Sequence, residues 1–164
     1  MNHTTHQEGV KKLAELIKDI DIAMLTTVDE DGTLRSRPMS TQEVEFDGDL
    51  WFLTSDDTAK VGEISRENRV NVSYAKLDKQ RFVSVSGTAE IVNDKAKIEE
   101  LWSPIYKAYF PKGLDDPSLR LLKIHAEKAE YWESSGLIPT VIAFVQSMAG
   151  KEAEMGENEK IQLA

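Results

Sequence analysis

Neighbouring strand-like stretches in this chain are joined by very short links, which limits the sheet they can build. Residues 22–28 alternate apolar residues with threonine, stop at Asp29-Glu30-Asp31-Gly32, and are followed at once by a second stretch at 34–40. Residues 43–46 and 50–55 flank Asp47-Gly48, a strong short-range hairpin signal. Residues 70–77 and 81–92 are again only a few residues apart. A parallel pair needs a crossover of a dozen or more residues, so this order predicts an antiparallel sheet. Gly87, inside the longest stretch, predicts a bulge or sharp bend of the kind that barrel corners need. Pro38 cannot donate to a ladder, which places 34–40 at an edge, a bulge or an open seam.

Helices frame these strands. Val10, Leu13, Ala14, Ile17 and Ile20 recur at helical spacing and predict a helix over 8–20. A second is expected over 58–67, burying Val61 and Ile64. A third is expected over 95–109, bent or restarted at Pro104 and broken by Phe110-Pro111-Lys112-Gly113. A short helix at 118–124, a strand at 129–133, a helix at 139–150, a charged linker over 151–158 and a last strand at 160–163 complete the reading. With 1–7 flexible, residues 1–164 read as one domain. Its expected fold is mainly β, a small six-stranded antiparallel barrel with flanking helices.

Composition removes several kinds of chemistry. The chain has no cysteine, which excludes disulfides, thiolate catalysis and cysteine-ligated metal centres and fits a reducing, cytoplasmic setting. Its formal net charge of -9 argues against a nucleic-acid partner. No apolar run is long enough to span a membrane, and the polar start does not read as a secretory signal. No Gly-x-Gly-x-x-Gly, Gly-x-Ser-x-Gly or His-Glu-x-x-His occurs, so Ser84 and Ser86 read as strand residues. The acidic turn 29–32 does not fit a calcium loop, and His125 reads as a satisfied surface histidine, so no metal site is expected.

One segment can hold an anion. Leu50-Trp-Phe-Leu-Thr-Ser-Asp-Asp-Thr-Ala-Lys60 runs from an aromatic strand through Thr54, Ser55 and Thr58 into a helix that carries Lys60. Unpaired amides and a partial positive charge at a helix start favour phosphate. Taken alone the segment reads first as ordinary N-capping, and Asp56 and Asp57 support that. Arg37, beside Pro38 on a strand with free backbone amides, is the partner that shifts the balance, because a guanidinium forks onto phosphate oxygens. Trp51, Trp102 and Trp132 could stack on a flat ring but are each more usually core.

In this order, Ala-Met-Leu-Thr-Thr-Val-Asp-Glu-Asp-Gly, Arg-Ser-Arg-Pro-Met, Leu-Trp-Phe-Leu-Thr-Ser-Asp-Asp-Thr-Ala-Lys, Val-Ser-Val-Ser-Gly-Thr-Ala-Glu, Trp-x-Pro and Tyr-Trp-Glu resemble the pyridoxamine 5'-phosphate oxidase-like split barrels. The general stress protein 26 branch is the nearest. The resemblance implies a split-barrel homodimer with flavin clefts at the subunit interface, holding FMN or alternatively FAD. By that resemblance Arg37 and Lys60 hold the flavin phosphate, assisted by Ser55 and Thr58. Pro38, Met39, Ser40, Leu53 and Thr54 line the ring and ribityl chain, and Trp102 of the other subunit covers the ring. Two departures argue against pyridoxamine phosphate oxidation. Arg81-Phe82 stands where the oxidases carry Arg-Gln, and the chain ends in Lys-Ile-Gln-Leu-Ala instead of an arginine-rich segment. The implied activity is therefore a flavin-dependent oxidoreductase of unknown substrate. The alternative is a flavin-binding or stress-response module without turnover. Haem in the same fold is disfavoured by the lack of a well-placed axial ligand.

Overall fold

The computed structural model describes residues 5–42, 46–134, 148, 150 and 157–163. Helix α1 (His6–Ile17) starts at Thr5, whose hydroxyl accepts from the Glu8 amide while the Glu8 carboxylate accepts from the Thr5 amide. This reciprocal capping box sets the start of the helix. The helix ends three residues earlier than the periodicity suggests, yet Ile20 is still buried with Leu13, Leu16 and Ile17.

The strands are β1 (Ile22–Val28), β2 (Leu34–Ser40), β3 (Asp49–Ser55), β4 (Arg69–Lys76), β5 (Arg81–Val92), β6 (Leu119–Glu133) and β7 (Glu157–Gln162). Helices α2 (Ala59–Arg66) and α3 (Lys95–Leu101) lie between them. All pairs are antiparallel, in the order β2-β1-β4-β5-β6-β3, with β7 also on β6. Seven strands thus stand where six were expected. The two ends of this path, β2 and β3, form an open seam with no ladder between them among the described residues. Pro38 sits on the end strand β2, where a missing amide costs no ladder bond on the free side.

The expected helix at 118–124 is not formed. Those residues open the 15-residue strand β6, which also contains the expected strand at 129–133. The physical reason is burial on both faces. Leu122 and Ile124 join the main core, while Leu119 and Leu121 join a second cluster with Ile98 and Leu101 of α3. A strand buried on both sides loses its polar alternation and cannot be told from a helix by periodicity. Helix α3 stops at Leu101, and Pro104 starts a separate 3-10 turn, Pro104–Ala108, so the expected single helix over 95–109 is two elements.

At Gly87 the β5–β6 register shifts. Ser86 pairs with Lys128 and Gly87 with Ala126, which leaves Glu127 as the extra residue of a bulge. Strand β3 pairs with β6, and most of the expected hairpin arm at 43–46 lies outside the described residues. The helix expected at 139–150 falls almost wholly outside them as well. Strand β7 begins at Glu157 and so takes in the end of the expected linker. Among the described residues no helix is long and apolar enough to cross a membrane.

Candidate functional site

The β3–α2 junction is not an ordinary cap. Thr58 occupies the N-cap position of α2, but its side chain makes no capping bond, because its hydroxyl donates to the Ser55 carbonyl at 3.0 Å. Neither aspartate caps the helix either. Asp56 pairs with Arg120 at 3.1 Å, and Asp57 accepts from the Ser55 hydroxyl at 2.5 Å. The first amides of α2 therefore have no side-chain acceptor from the residues that usually supply one.

Behind this junction lies a charge network that the periodicity of α2 concealed. Glu63 is 1% exposed, while Val61, which the helical spacing buries, is only half-buried. Its carboxylate accepts from Arg37 at 2.7 Å and from Arg35 at 2.7 Å, and is also bonded to the Thr27 hydroxyl. Arg37 in turn donates to Thr27 at 2.5 Å. Burial pushes the Glu63 carboxyl up, but the bonds from Thr27 and Arg37 and the charges of both arginines outweigh it, so its pKa lies below the ordinary glutamate value. A buried anion needs such partners. The signal available in the sequence was two arginines on one strand face, Arg35 and Arg37, opposite a helix with a carboxylate one position from its apolar stripe.

In front of the junction a cavity of about 360 Å³ opens at the seam. It is walled by Pro38, Met39 and Ser40 of β2, Leu53, Thr54 and Ser55 of β3, Thr58 and Lys60 of the α2 start, and Tyr106, Tyr109 and Phe110. Ile22 and Gln42 complete it. Of the site residues expected from the sequence, eight line this one cavity. Arg37 is turned toward Glu63 and is not among the lining residues. Trp102 is also absent from the lining; it packs on Tyr106 and Phe110, 5.9 and 6.4 Å between ring centres, and so backs the wall of its own chain's cavity.

The cavity has unspent polar capacity. Lys60 is half-buried and makes no hydrogen bond or ion pair among the described residues. Burial and the nearby Arg37 charge hold its ammonium below the ordinary lysine value, against the pull of Glu63 and Asp57. Thr54 is 2% exposed, and among the described residues neither its Oγ1 nor the buried Nε2 of the half-buried Gln42 has a partner. Buried polar atoms without partners are costly and uncommon; Thr54 and Gln42 both line this cavity, and Gln42 lines the one between α1 and β3 as well. A larger cavity of about 540 Å³ lies between α1 and β3, but its lysine, Lys18, is already paired with Glu15 at 2.8 Å. Gln42, Tyr106, Tyr109 and Phe110 carry no motif that the sequence alone would single out; only the fold brings them to the seam.

Known proteins agree with this architecture. The general stress FMN/FAD binding protein from the phytopathogen Xanthomonas citri is 32% identical, with 80% of this chain and 93% of that one covered and a TM-score of 0.67. A protein related to general stress protein 26 of B. subtilis, from Clostridium acetobutylicum, has the same fold at 21% identity, with 97% and 96% covered and a TM-score of 0.70. Protein bli-3 of Neurospora crassa is 27% identical over 166 residues, covering 94% of this chain and 79% of that protein. The model of the pyridoxamine 5'-phosphate oxidase like family matches residues 8–154, and the chain belongs to that family.

Proposed function

We propose that the seam cavity binds a flavin, FMN in preference to the bulkier FAD, with its phosphate at the α2 end. The observation that carries this reading is one cavity lined by Ser55, Thr58 and the half-buried Lys60, which makes no hydrogen bond or ion pair among the described residues, together with Thr54, whose buried Oγ1 has no partner among them. A volume of about 360 Å³ suits a small-molecule site, within the roughly 300–1,000 Å³ that such sites span. The flavin named for the Xanthomonas citri protein supports the same reading. Lys60 and the first amides of α2 hold the phosphate, the hydroxyls of Ser55 and Thr58 turn to it from Asp57 and the Ser55 carbonyl, to which they donate without ligand, and Arg37 adds charge from behind. Pro38, Met39, Ser40, Leu53 and Thr54 line the ring and ribityl chain, and Tyr106, Tyr109 and Phe110, backed by Trp102, form an aromatic wall.

A bound flavin supplies hydride or electron transfer, and the protein supplies orientation and charge. On this reading the chain is an oxidoreductase. Among the described residues the cavity lining holds no histidine, aspartate or glutamate, and a second reading is that flavin is held without turnover. Anaerobic mixing of the loaded protein with NADH or NADPH separates the two: bleaching of the flavin band supports the first, and a flavin that stays oxidised supports the second.

We further propose that a second copy of the chain closes the cavity. The strand registers put Ile22, Met24, Pro38, Phe82 and Trp132 on one outer sheet face, and Ile22 and Pro38 belong to both that face and the cavity. Trp132 is 43% and Ile22 54% exposed in the single chain, an apolar face of the kind that marks an interface. Sedimentation equilibrium is expected to give a dimer. The Trp132→Asp, Met24→Asp double variant is expected to give a monomer with weakened flavin binding.

Titration of the apo-protein with FMN tests the site itself. Lys60→Ala is expected to weaken binding about 10- to 100-fold, the worth of a charge-assisted bond. Thr54→Val has effects of opposite sign. Removing an unpaired buried hydroxyl should raise apo-protein stability by up to about 1 kcal/mol while weakening FMN binding. No binding by the unaltered protein at micromolar concentration overturns the reading.

A further inference from the structure

We infer that the larger cavity, between α1 and β3, is a second ligand site, which takes a neutral aromatic molecule carrying one hydrogen-bonding oxygen. This goes beyond the flavin reading and does not depend on it. The cavity measures about 540 Å³, and Ala14 and Ile17 of α1, Phe46, and Leu50 and Phe52 of β3 give it an apolar wall. From β4 comes Tyr74. Its in-register neighbours, Ala23 on β1 and Val83 on β5, are buried as it is, so this row points into the barrel. Tyr74 is 3% exposed, yet its hydroxyl makes no hydrogen bond among the described residues. Burial alone pushes the phenol above its ordinary pKa, with no hydrogen bond or neighbouring charge contributing. The oxygen is not sealed off, for it keeps some accessible surface, and Tyr74 does not line the seam cavity. A buried phenol without a partner is costly, and this one offers a proton and two lone pairs to whatever fills the space.

The charged groups of the wall decide against an ion. Lys18 is paired with Glu15 at 2.8 Å, and Asp49 is bonded to His125 at 3.0 Å and lies 3.7 Å from Lys123. Among the described residues this wall thus has no spare cation for a carboxylate or phosphate and no spare carboxylate for an amine. A charge buried without a partner costs far more than a neutral group does. The Thr41 hydroxyl is also committed, since it donates to the Ile20 carbonyl at 2.6 Å. Phe46, Phe52 and Tyr74 bring three rings to one space, which suits a flat apolar ligand whose oxygen meets the Tyr74 hydroxyl. The seam cavity differs in kind: its lysine is unpaired, so the two cavities ask for opposite chemistries.

Three probes and two variants of the whole chain test this by fluorescence titration. 2-Naphthol has the rings and the oxygen, naphthalene lacks the oxygen, and 2-naphthoate carries a charge. 2-Naphthol should bind, and 2-naphthoate should bind at least about tenfold more weakly. Tyr74→Phe should weaken 2-naphthol about tenfold, the worth of one neutral bond, and leave naphthalene unchanged. It should not lower the thermal midpoint of the apo-protein, since the hydroxyl it removes had no partner. Ala14→Phe, which puts a ring into the cavity from α1, should abolish binding of both neutral probes; if it does not fold, the Tyr74→Phe comparison decides alone. Saturating FMN should not displace 2-naphthol, and Tyr74→Phe should bind FMN like the unaltered protein. Unchanged 2-naphthol affinity in Tyr74→Phe, equal loss of naphthalene, displacement by FMN, 2-naphthoate bound as tightly, or no 2-naphthol bound by the unaltered protein each overturns the inference. The flavin reading fails separately, if FMN itself does not bind.

Discussion

Replacing Glu63 with alanine is expected to lower the stability of the fold by about 3–5 kcal/mol, the cost of stripping one partner from a buried ion pair. Glu63 is 1% exposed, and its loss leaves the Arg37 charge without its carboxylate and the Thr27 hydroxyl proton without its acceptor, although Thr27 Oγ1 still accepts from Arg37. Arg35 adds little to this figure, because its side chain is about half exposed and water replaces the carboxylate there. Urea unfolding measures the effect. Glu63→Gln should cost less, since the amide oxygen still accepts one bond. Making the whole set apolar at once should avoid that loss: the triple variant T27V, R37M, E63L is expected to be close to neutral, as apolar replacements of buried ion pairs often are.

The same carboxylate sets an acid limit. Its pKa in the folded chain lies below the unfolded value of 4.5, so folding binds fewer protons at this position than unfolding does. Its stabilisation is complete above that value and disappears as pH falls through the lower folded pKa. The urea midpoint of the unaltered protein should therefore drop below about pH 4.5 more steeply than that of Glu63→Gln. Equal slopes would remove Glu63 from the acid response.

Gly87→Ala should be at least as damaging, by about 3 kcal/mol or more. A Cβ at this position would lie 2.0 Å from the His125 carbonyl oxygen and 3.2 Å from the Ala126 Cα. Both belong to backbone, which cannot swing aside as a side-chain tip can. The demand here is for space and not for a left-handed dihedral, since the backbone of Gly87 is not in that region. The clash falls at the bulge where β5 and β6 change register, so relief would break the longest pairing in the sheet. Loss of a cooperative thermal transition, or failure to accumulate as soluble protein, is the expected result. A normal melt would mean that the bulge relaxes into a neighbouring register.

That bulge was legible in advance, because a glycine inside a long apolar strand has few other uses. So was the end-strand position of β2, which one proline fixed, and so was the gathering of Ser55, Thr58 and Lys60 where a strand meets a helix. These depend on local chemistry. The misreading of 118–124 has the opposite cause: its leucines serve two clusters on opposite faces, and that second face is supplied by α3 and the turn after it. Glu63 escaped notice for a similar reason, since charge on a short helix looks solvated until its arginines arrive from β2. Arg37 carried the right charge in the right neighbourhood, but its geometry was decided by that unseen carboxylate.

A barrel laced all the way round admits a guest only by breaking backbone bonds or by leaving its mouth open. Between β2 and β3 no such bonds stand among the described residues, so parting these walls costs only the separation of side chains. The strands on either side are each held from behind, β2 by β1 and β3 by β6. On the flavin reading the ligand would enter and leave as through the clasp of a purse, with every stitch of the fabric intact.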